Sequence, residues 1–417
     1  MISLSAVPRR CVNLPPGTLG ALVSTKLKGD VCEGDVLERF RQTFASWLDT
    51  PHVFGASSGR TAFQLALEAL DLEPGCEIIF PMFTFPVMPM VAKLMGFKAV
   101  FCDVDPDTFN AGVEHIEPFV TDKTGAVLAT HLFGQPCDIQ PIVEMARARN
   151  IKVLEDCAHA CGVRINGKQA GTFGDIGVFS FAEGKNMPCL AGGAIAIADD
   201  TVAERARLLL EKAPPLDAGK VWSEGFGIWV HWLLTRPWIF GLSAYPALRL
   251  QLAMGKPLMD SKTGNDLIKK YTGSNPAIRG LANLQAKVGL LQLPLIDAFN
   301  AGAKRNADIL TEKIGDVPGL KTPRRTGDEH IYVYYPLAVE ASKRDDLRHY
   351  LLLHGVDAKL TDMSDCSALD AFREEADPTR VSRETMLLEI CVYPVMSEAR
   401  MAKIAKAIRA WAGLAEL

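Results

Sequence analysis

Between residues 53 and 199 short apolar runs alternate with stretches of helical periodicity, and this alternation leaves few architectures open. The runs are 77–81 (EIIFP), 99–103 (AVFCD), 126–130 (AVLAT), 151–156 (IKVLED), 175–181 (DIGVFSF) and 193–198 (GAIAIA). Between them, 61–70, 88–95 and 139–149 carry apolar residues at a spacing near 3.6. Strands apolar on both faces and separated by amphipathic helices have to be covered on both sides. This predicts an α/β fold with a mostly parallel central sheet flanked by helices. Further along, 299–313, 342–354 and 398–414 read as helices and 331–339 as a strand, which predicts a smaller C-terminal α+β domain. The expected division is a large domain over 1–300 and a small one over 301–417, with 323–327 (PRRTG) as a linker.

With 48% hydrophobic and 23% charged residues and a formal net charge of −4, the chain is a globular protein. It has no overall positive field for gripping nucleic acid. Ten cysteines over 417 residues are too sparse for a disulfide scaffold. Their one close pair, Cys157 and Cys161, lacks a second pair at zinc-ligand spacing, so no metal is expected. No export signal is read at the N-terminus, and the expected location is cytoplasmic. Residues 201–274 stand apart. They hold four of the six tryptophans (Trp222, Trp229, Trp232 and Trp238), in uncharged runs well short of the roughly 20 residues that span a bilayer. Two readings stay open for 222–254: a helical pair packed on the body or on a partner subunit, and an apolar surface in peripheral contact with the inner membrane face.

In open parallel sheets ligands collect beyond the carboxyl ends of the strands. Three groups of residues fall there: Asp156 and His159 after one apolar run, Ser180 and Lys185 after another, and the turn Gly59-Arg60-Thr61 opening a helix. A lysine, a strand-end acid and a small-residue turn with free amides suit a phosphorylated cofactor that forms an imine. Pyridoxal phosphate needs a lysine for the Schiff base, a carboxylate to keep its ring nitrogen protonated, and backbone N–H groups for its phosphate. His131 also follows a strand; a structural role and a functional one stay open for it.

The order of these pieces resembles the DegT/DnrJ/EryC1/StrS family of pyridoxal-phosphate enzymes, mostly nucleotide-sugar aminotransferases of fold type I. The matching stretches are 58–67 (SGRTAFQLAL), 74–86 (PGCEIIFPMFTFP), 96–105 (GFKAVFCDVD), 131–142 (HLFGQPCDIQPI) and 153–162 (VLEDCAHACG). They continue with 171–185 (GTFGDIGVFSFAEGK), 274–293 (SNPAIRGLANLQAKVGLLQL) and 392–407 (VYPVMSEARMAKIAKA). The resemblance implies Lys185 as the imine lysine, Asp156 as partner of the pyridine nitrogen and His159 beside the phenolic oxygen. It also implies Ser180 as a phosphate ligand with the Gly59-Arg60-Thr61 turn, and Phe85 stacked on the ring. Asn275 would reach the neighbouring subunit's cofactor, which implies a homodimer with shared active sites. The family's usual Gly-Thr at the first turn is Gly59-Arg60 here, and its Asp/Glu-Gly-Gly after the lysine is Ala191-Gly192-Gly193. The implied activity is transfer of an amino group from an amino acid, commonly glutamate, to the keto group of a nucleotide-linked sugar. The long aromatic insertion keeps a hydrophobic or other non-sugar carbonyl open as acceptor. A non-catalytic cofactor-binding protein is the rival of a different class.

Overall fold

The computed structural model describes residues 3–256, 263–269, 275–324, 330–373 and 387–414. The centre is a seven-stranded sheet of β1 (His52–Ala56), β2 (Glu77–Pro81), β3 (Lys98–Cys102), β4 (Thr124–Thr130), β5 (Lys152–Asp156), β6 (Ile176–Ser180) and β7 (Gly193–Ile197), in spatial order β1-β7-β6-β5-β4-β2-β3. From β6 to β3 every pairing is parallel, whereas β7 runs antiparallel to both β6 and β1. The alternation of apolar runs does not encode this reversal. The chain from β6 to β7 is a short connection through Lys185 rather than a helical crossover, and a short connection reverses direction. Strands β2 and β7 are buried along their whole length, as a sheet covered on both faces requires.

Helices begin and end close to the positions expected from sequence. The first expected helix starts earlier, at Gly59 rather than 61, because the Ser58 side chain caps it by accepting the Thr61 N–H at 3.1 Å. The expected strand over 331–339 is cut to Tyr335–Val339. Its first half is held elsewhere: Ile331 N–H donates to the Gly134 carbonyl at 3.0 Å, at the turn beyond β4.

The smaller sheet contains β8 (Leu320–Lys321), β9 (Tyr335–Val339), β10 (Lys359–Leu360) and β11 (Leu387–Ile390) in the order β8-β9-β11-β10, antiparallel throughout. It packs with helices Ile296–Ile314, Ala341–Leu353 and Glu398–Trp411 around a second core that includes Leu310, Leu337, Leu351 and Ile404. Two details differ from a cut at 300/301. Helix Ile296–Ile314 runs unbroken through that point. The N-terminal segment also belongs to the second core: Val7 and Cys11 are buried in it, Val7 N–H donates to the Gly355 carbonyl at 2.8 Å, and Arg9 pairs with Asp357 at 2.8 Å. The proposed linker 323–327 lies partly outside the described residues.

The aromatic part of the insertion, 218–253, forms three helices, Ala218–Leu234, Pro237–Leu242 and Ala244–Ala253. Along the first, Trp222, Phe226, Trp229 and Trp232 recur at helical spacing and stack in sequence, with centroids 5.3, 5.8 and 6.3 Å apart. Trp222, Trp229 and Trp232 pack against a small core of Val12, Leu22, Leu190 and Leu284, and Trp222 Nε1 donates to the Leu22 carbonyl at 2.9 Å. Trp238, Leu250 and Met254 remain more than half exposed. No helix among the described residues is long and apolar enough to cross a membrane.

Candidate active site

The carboxyl ends of β4, β5 and β6 open into a cavity of about 440 Å³. Its lining includes Gly59, Arg60, Phe85, Asp156, His159, Ser180 and Lys185, so seven of the nine residues singled out from sequence surround one space. The remaining two lie outside the lining. Thr61 is buried one turn into the helix, with its N–H spent on the Ser58 cap. Asn275 is packed elsewhere: its Nδ2 donates to the Val91 carbonyl at 3.0 Å, while its buried Oδ1 has no partner.

Local sequence explains the placement. Asp156 is the last residue of β5, and its Oδ1 accepts the Ala158 N–H at 2.9 Å, which turns the chain and aims the carboxyl into the cavity. Gly59 is required by close approach, since a Cβ there would lie 2.8 Å from the Ser180 Cβ. The helix N-terminus and Ser180 therefore meet, which makes a concave site for an anion. The loop after Lys185 enters β7 through Leu190, Ala191 and Gly192, at φ of 63°, 112° and 108°. Ala191 thus holds a conformation that costs an L-residue energy, at the cavity wall.

The electrostatics are those of a buried polar site. Burial lowers the Lys185 pKa from 10.5 to about 8, with Asp156 and Asp362 opposing and Lys359 assisting. Burial raises the Asp156 pKa, against the Ala158 N–H, Lys185 and His131. His159 is pushed well below its ordinary value by burial and then by Lys185 and Lys359. Its Nδ1 accepts the Phe133 N–H at 3.2 Å, so the ring proton sits on Nε2. Phe133 adopts φ 56° and its ring stacks on the imidazole at 5.9 Å.

His131 turns out to hold the floor of the site. Its Nδ1 accepts the Cys137 N–H at 3.2 Å, and Nε2 faces Glu155 at 3.2 Å. The fully buried Glu155 carboxylate also accepts the N–H groups of Gly171 (2.8 Å), Phe173 (2.6 Å) and Gly174 (2.8 Å). His131, Glu155 and Cys157 lie close enough to suggest a metal site. Both Glu155 oxygens are already spent on hydrogen bonds, which leaves a cation little to coordinate.

Sequence reasoning missed the wall formed by the N-terminal segment and the small domain: Arg10, Tyr334, Lys359, Asp362 and Glu389, together with Glu183. Lys359 Nζ lies 2.7 Å from both Asp362 and Glu389 and 4.8 Å from the Tyr334 ring centroid. Burial alone would lower its pKa, but Glu389, Tyr334 and Asp362 together raise it. Arg10 Nη2 donates to Glu183 Oε1 at 2.7 Å, and the other Glu183 oxygen faces His231 Nδ1 at 2.9 Å. Glu183 and Gly184 sit inside the lysine motif and were the available signal. Nothing local marks Arg10 or Lys359, which reach the site through tertiary packing.

The model of the DegT/DnrJ/EryC1/StrS aminotransferase family matches residues 19–230 and 258–409. GDP-perosamine synthase of Escherichia coli O157:H7 is 38% identical over 173 residues, 42% of this chain and 48% of that protein. That match spans about half of the relative's length. The dTDP-3-amino-3,4,6-trideoxy-alpha-D-glucose transaminase of Streptomyces venezuelae is 26% identical over 385 residues, 91% of this chain and 88% of that protein. Among solved structures, S. venezuelae DesV in complex with a ketimine intermediate superimposes with a TM-score of 0.74 at 25% identity, over 95% of each chain. The stretch without a family match, 231–257, falls in the aromatic insertion, and the match on either side takes in β1 to β7, the loop carrying Lys185 and most of the small domain. The chain belongs to the DegT/DnrJ/EryC1/StrS aminotransferase family.

Proposed function

We propose that the protein is a pyridoxal-phosphate aminotransferase that moves an amino group from an amino acid, glutamate by family resemblance, to the keto group of a nucleotide-linked sugar. The observation that carries this reading is that the Lys185 amine and the Asp156 carboxyl line one cavity whose edge is a helix N-terminus. Two orphaned hydroxyls support the fit. Thr84 Oγ1 and Thr130 Oγ1 are buried, have no hydrogen-bond partner, and belong to residues of the cavity lining. Polar atoms buried without partners are costly, and a polar ligand would relieve them.

The bound ring would supply the electron sink that stabilises charge at the donor's α-carbon. Asp156 would keep the proton on the ring nitrogen. Lys185, with its pKa near 8, is neutral in a useful fraction of molecules and would take the proton from the α-carbon. Ser180 and the amides opening the 59–70 helix, with the Arg60 guanidinium beside them, would bind the phosphate. His159 would donate its Nε2 proton, and Phe85 would cover the ring. Asn275 would serve the active site of the second subunit in a homodimer. The donor it has for that role is the second N–H of Nδ2, beyond the one given to the Val91 carbonyl.

Borohydride reduction followed by peptide mass analysis tests the reading. The cofactor's mass should appear on the peptide carrying Lys185, and glutamate should shift the absorbance of the untreated holoprotein. No added mass would sink it. Turnover of hydrophobic ketones and not of nucleotide keto sugars would move the acceptor to the non-sugar class. The exposed Trp238, Leu250 and Met254 also support a peripheral membrane contact through 222–254. Flotation with anionic and with neutral liposomes tests it, and a protein left wholly unbound by both refutes it.

A further inference from the structure

The cations lining the cavity are not equally committed. Lys359 is held by two carboxylates and the Tyr334 ring, and Lys185 is reserved for the imine. Arg60 stands beside Gly59 at the anion-binding turn. Arg10 differs from all three. A guanidinium carries five N–H donors, and among the described residues Arg10 makes one hydrogen bond, from Nη2 to Glu183. Its Nη1 lies 3.4 Å from where a Cβ on Gly184 would stand, directly before Lys185 in the chain.

Arg10 is also held in an unusual way. Glu183 shares its two oxygens between Arg10 at 2.7 Å and His231 at 2.9 Å. With Oε2 taken by His231, Glu183 is kept from closing a two-pronged pair with Arg10, so donors remain available on the cavity side. Arg10 precedes the first family-matched residue and His231 is the first residue of the unmatched stretch, while Glu183 lies within the match. Two segments outside the family pattern therefore meet at one carboxylate, two residues before the reactive lysine.

We propose that Arg10 binds the α-carboxylate of the amino donor, and that Glu183 and His231 are positioning residues that orient its guanidinium. The proposal rests on the aminotransferase reading. Position selects the α-carboxylate over other anions. The donor's α-carbon must come within reach of the Lys185 amine, and its carboxylate is one bond further on. The diphosphate of a nucleotide sugar stands a whole ring away from its reacting carbonyl. A planar fork suits a carboxylate, and the insertion would thus act on donor binding through His231.

The test uses single-turnover spectra of the holoenzyme with glutamate, alanine and 4-aminobutyrate, which lacks an α-carboxylate. The binding constant for 2-methylglutamate, which has no α-proton, gives a second readout. Losing a charge-assisted pair should raise the Arg10→Gln KM for both α-amino acids by about 10- to 100-fold. 2-Methylglutamate should weaken to match, and 4-aminobutyrate should be unaffected. His231→Ala should raise the donor KM with little change in kcat, and His231→Asn, whose amide can replace Nδ1, should restore it. Because His231 lies outside the cavity, that pair keeps the proposal refutable if Arg10→Gln fails to fold. A raised KM for the keto acceptor with an unchanged donor KM overturns the proposal. If the wild type reacts normally with its donor and both variants match it, this inference falls alone. If no amine converts the wild-type cofactor, the aminotransferase reading falls with it.

Discussion

Glu155→Gln tests whether the floor of the site is built as the hydrogen bonds imply. The side chain keeps its shape and loses its charge, so packing is nearly constant. Glu155 Oε1 accepts from Phe173 and Gly174, while Oε2 accepts from Gly171 and faces His131 Nε2. All four partners are donors, because the Cys137 N–H occupies Nδ1 of His131 and leaves the proton on Nε2. A glutamine has one acceptor and one donor end. Whichever way it turns, its NH₂ meets two N–H groups, so two bonds are lost and two buried donors go unsatisfied. At about 1–3 kcal/mol for each orphaned group, the cost is about 2–6 kcal/mol. The charge adds a pH signature. Although burial works to raise the Glu155 pKa, His131 and the backbone N–H groups bring it below 4.5. A carboxylate with a lowered folded pKa contributes stability above its unfolded pKa, and that contribution is lost as pH falls through the folded value. The gap between wild type and variant should therefore be full at neutral pH and shrink in acid below about 4.5. Urea denaturation of the cofactor-stripped proteins at pH 7 and pH 4 measures both. A variant within about 0.5 kcal/mol of wild type at pH 7 would refute the assignment of Glu155 as an anionic keystone.

Other changes read out other parts of the site. Lys185→Ala should abolish turnover yet still retain cofactor noncovalently, as seen by absorbance after gel filtration; undiminished turnover would remove the mechanism. Ala191 sits at φ 112°, so Ala191→Gly should relieve strain by about 1–2 kcal/mol net of the added freedom of the unfolded chain; a fall in stability would show that its conformation is not strained. Gly59→Ala should weaken cofactor retention, because its Cβ would press on Ser180 at 2.8 Å and drive the helix N-terminus away; unchanged retention by equilibrium dialysis would contradict this. In the cofactor-stripped protein Lys185 has a lowered pKa, so the unfolded chain binds the additional proton between about pH 8 and 10.5. Wild-type stability relative to Lys185→Met should therefore rise across that window, and a flat difference would refute the burial argument.

What the sequence made legible follows from which interactions are local. The period of the apolar runs locates six of the seven sheet strands to within a residue or two, because burial on both faces leaves a pattern in a single segment. The reversal of β7 has no such pattern; it is set by the short loop carrying Lys185. Within the site, Asp156, Ser180 and Lys185 were legible because strand ends and the loops after them converge in any sheet of this kind. The adjacent Glu155 and Asp156 mark the limit of that logic. Neighbouring strand residues face opposite sides, so one carboxyl lines the cavity and the other is sealed beneath it. Composition cannot distinguish them; the N–H groups of 171–174 do. The far wall was illegible for a stronger reason. Arg10, Tyr334 and Lys359 come from the two ends of the chain, and they meet because the N-terminal segment is part of the small domain's core. The parallel sheet thus supplies a reaction centre readable from local pattern, while the surface opposite it is assembled from distant segments, with the aromatic insertion reaching it only through the His231 contact to Glu183. Differences in the amino donor this chain accepts should accordingly map to Arg10 and Glu183 on that wall and to His231 behind Glu183, and not to Asp156 or Ser180 at the strand ends.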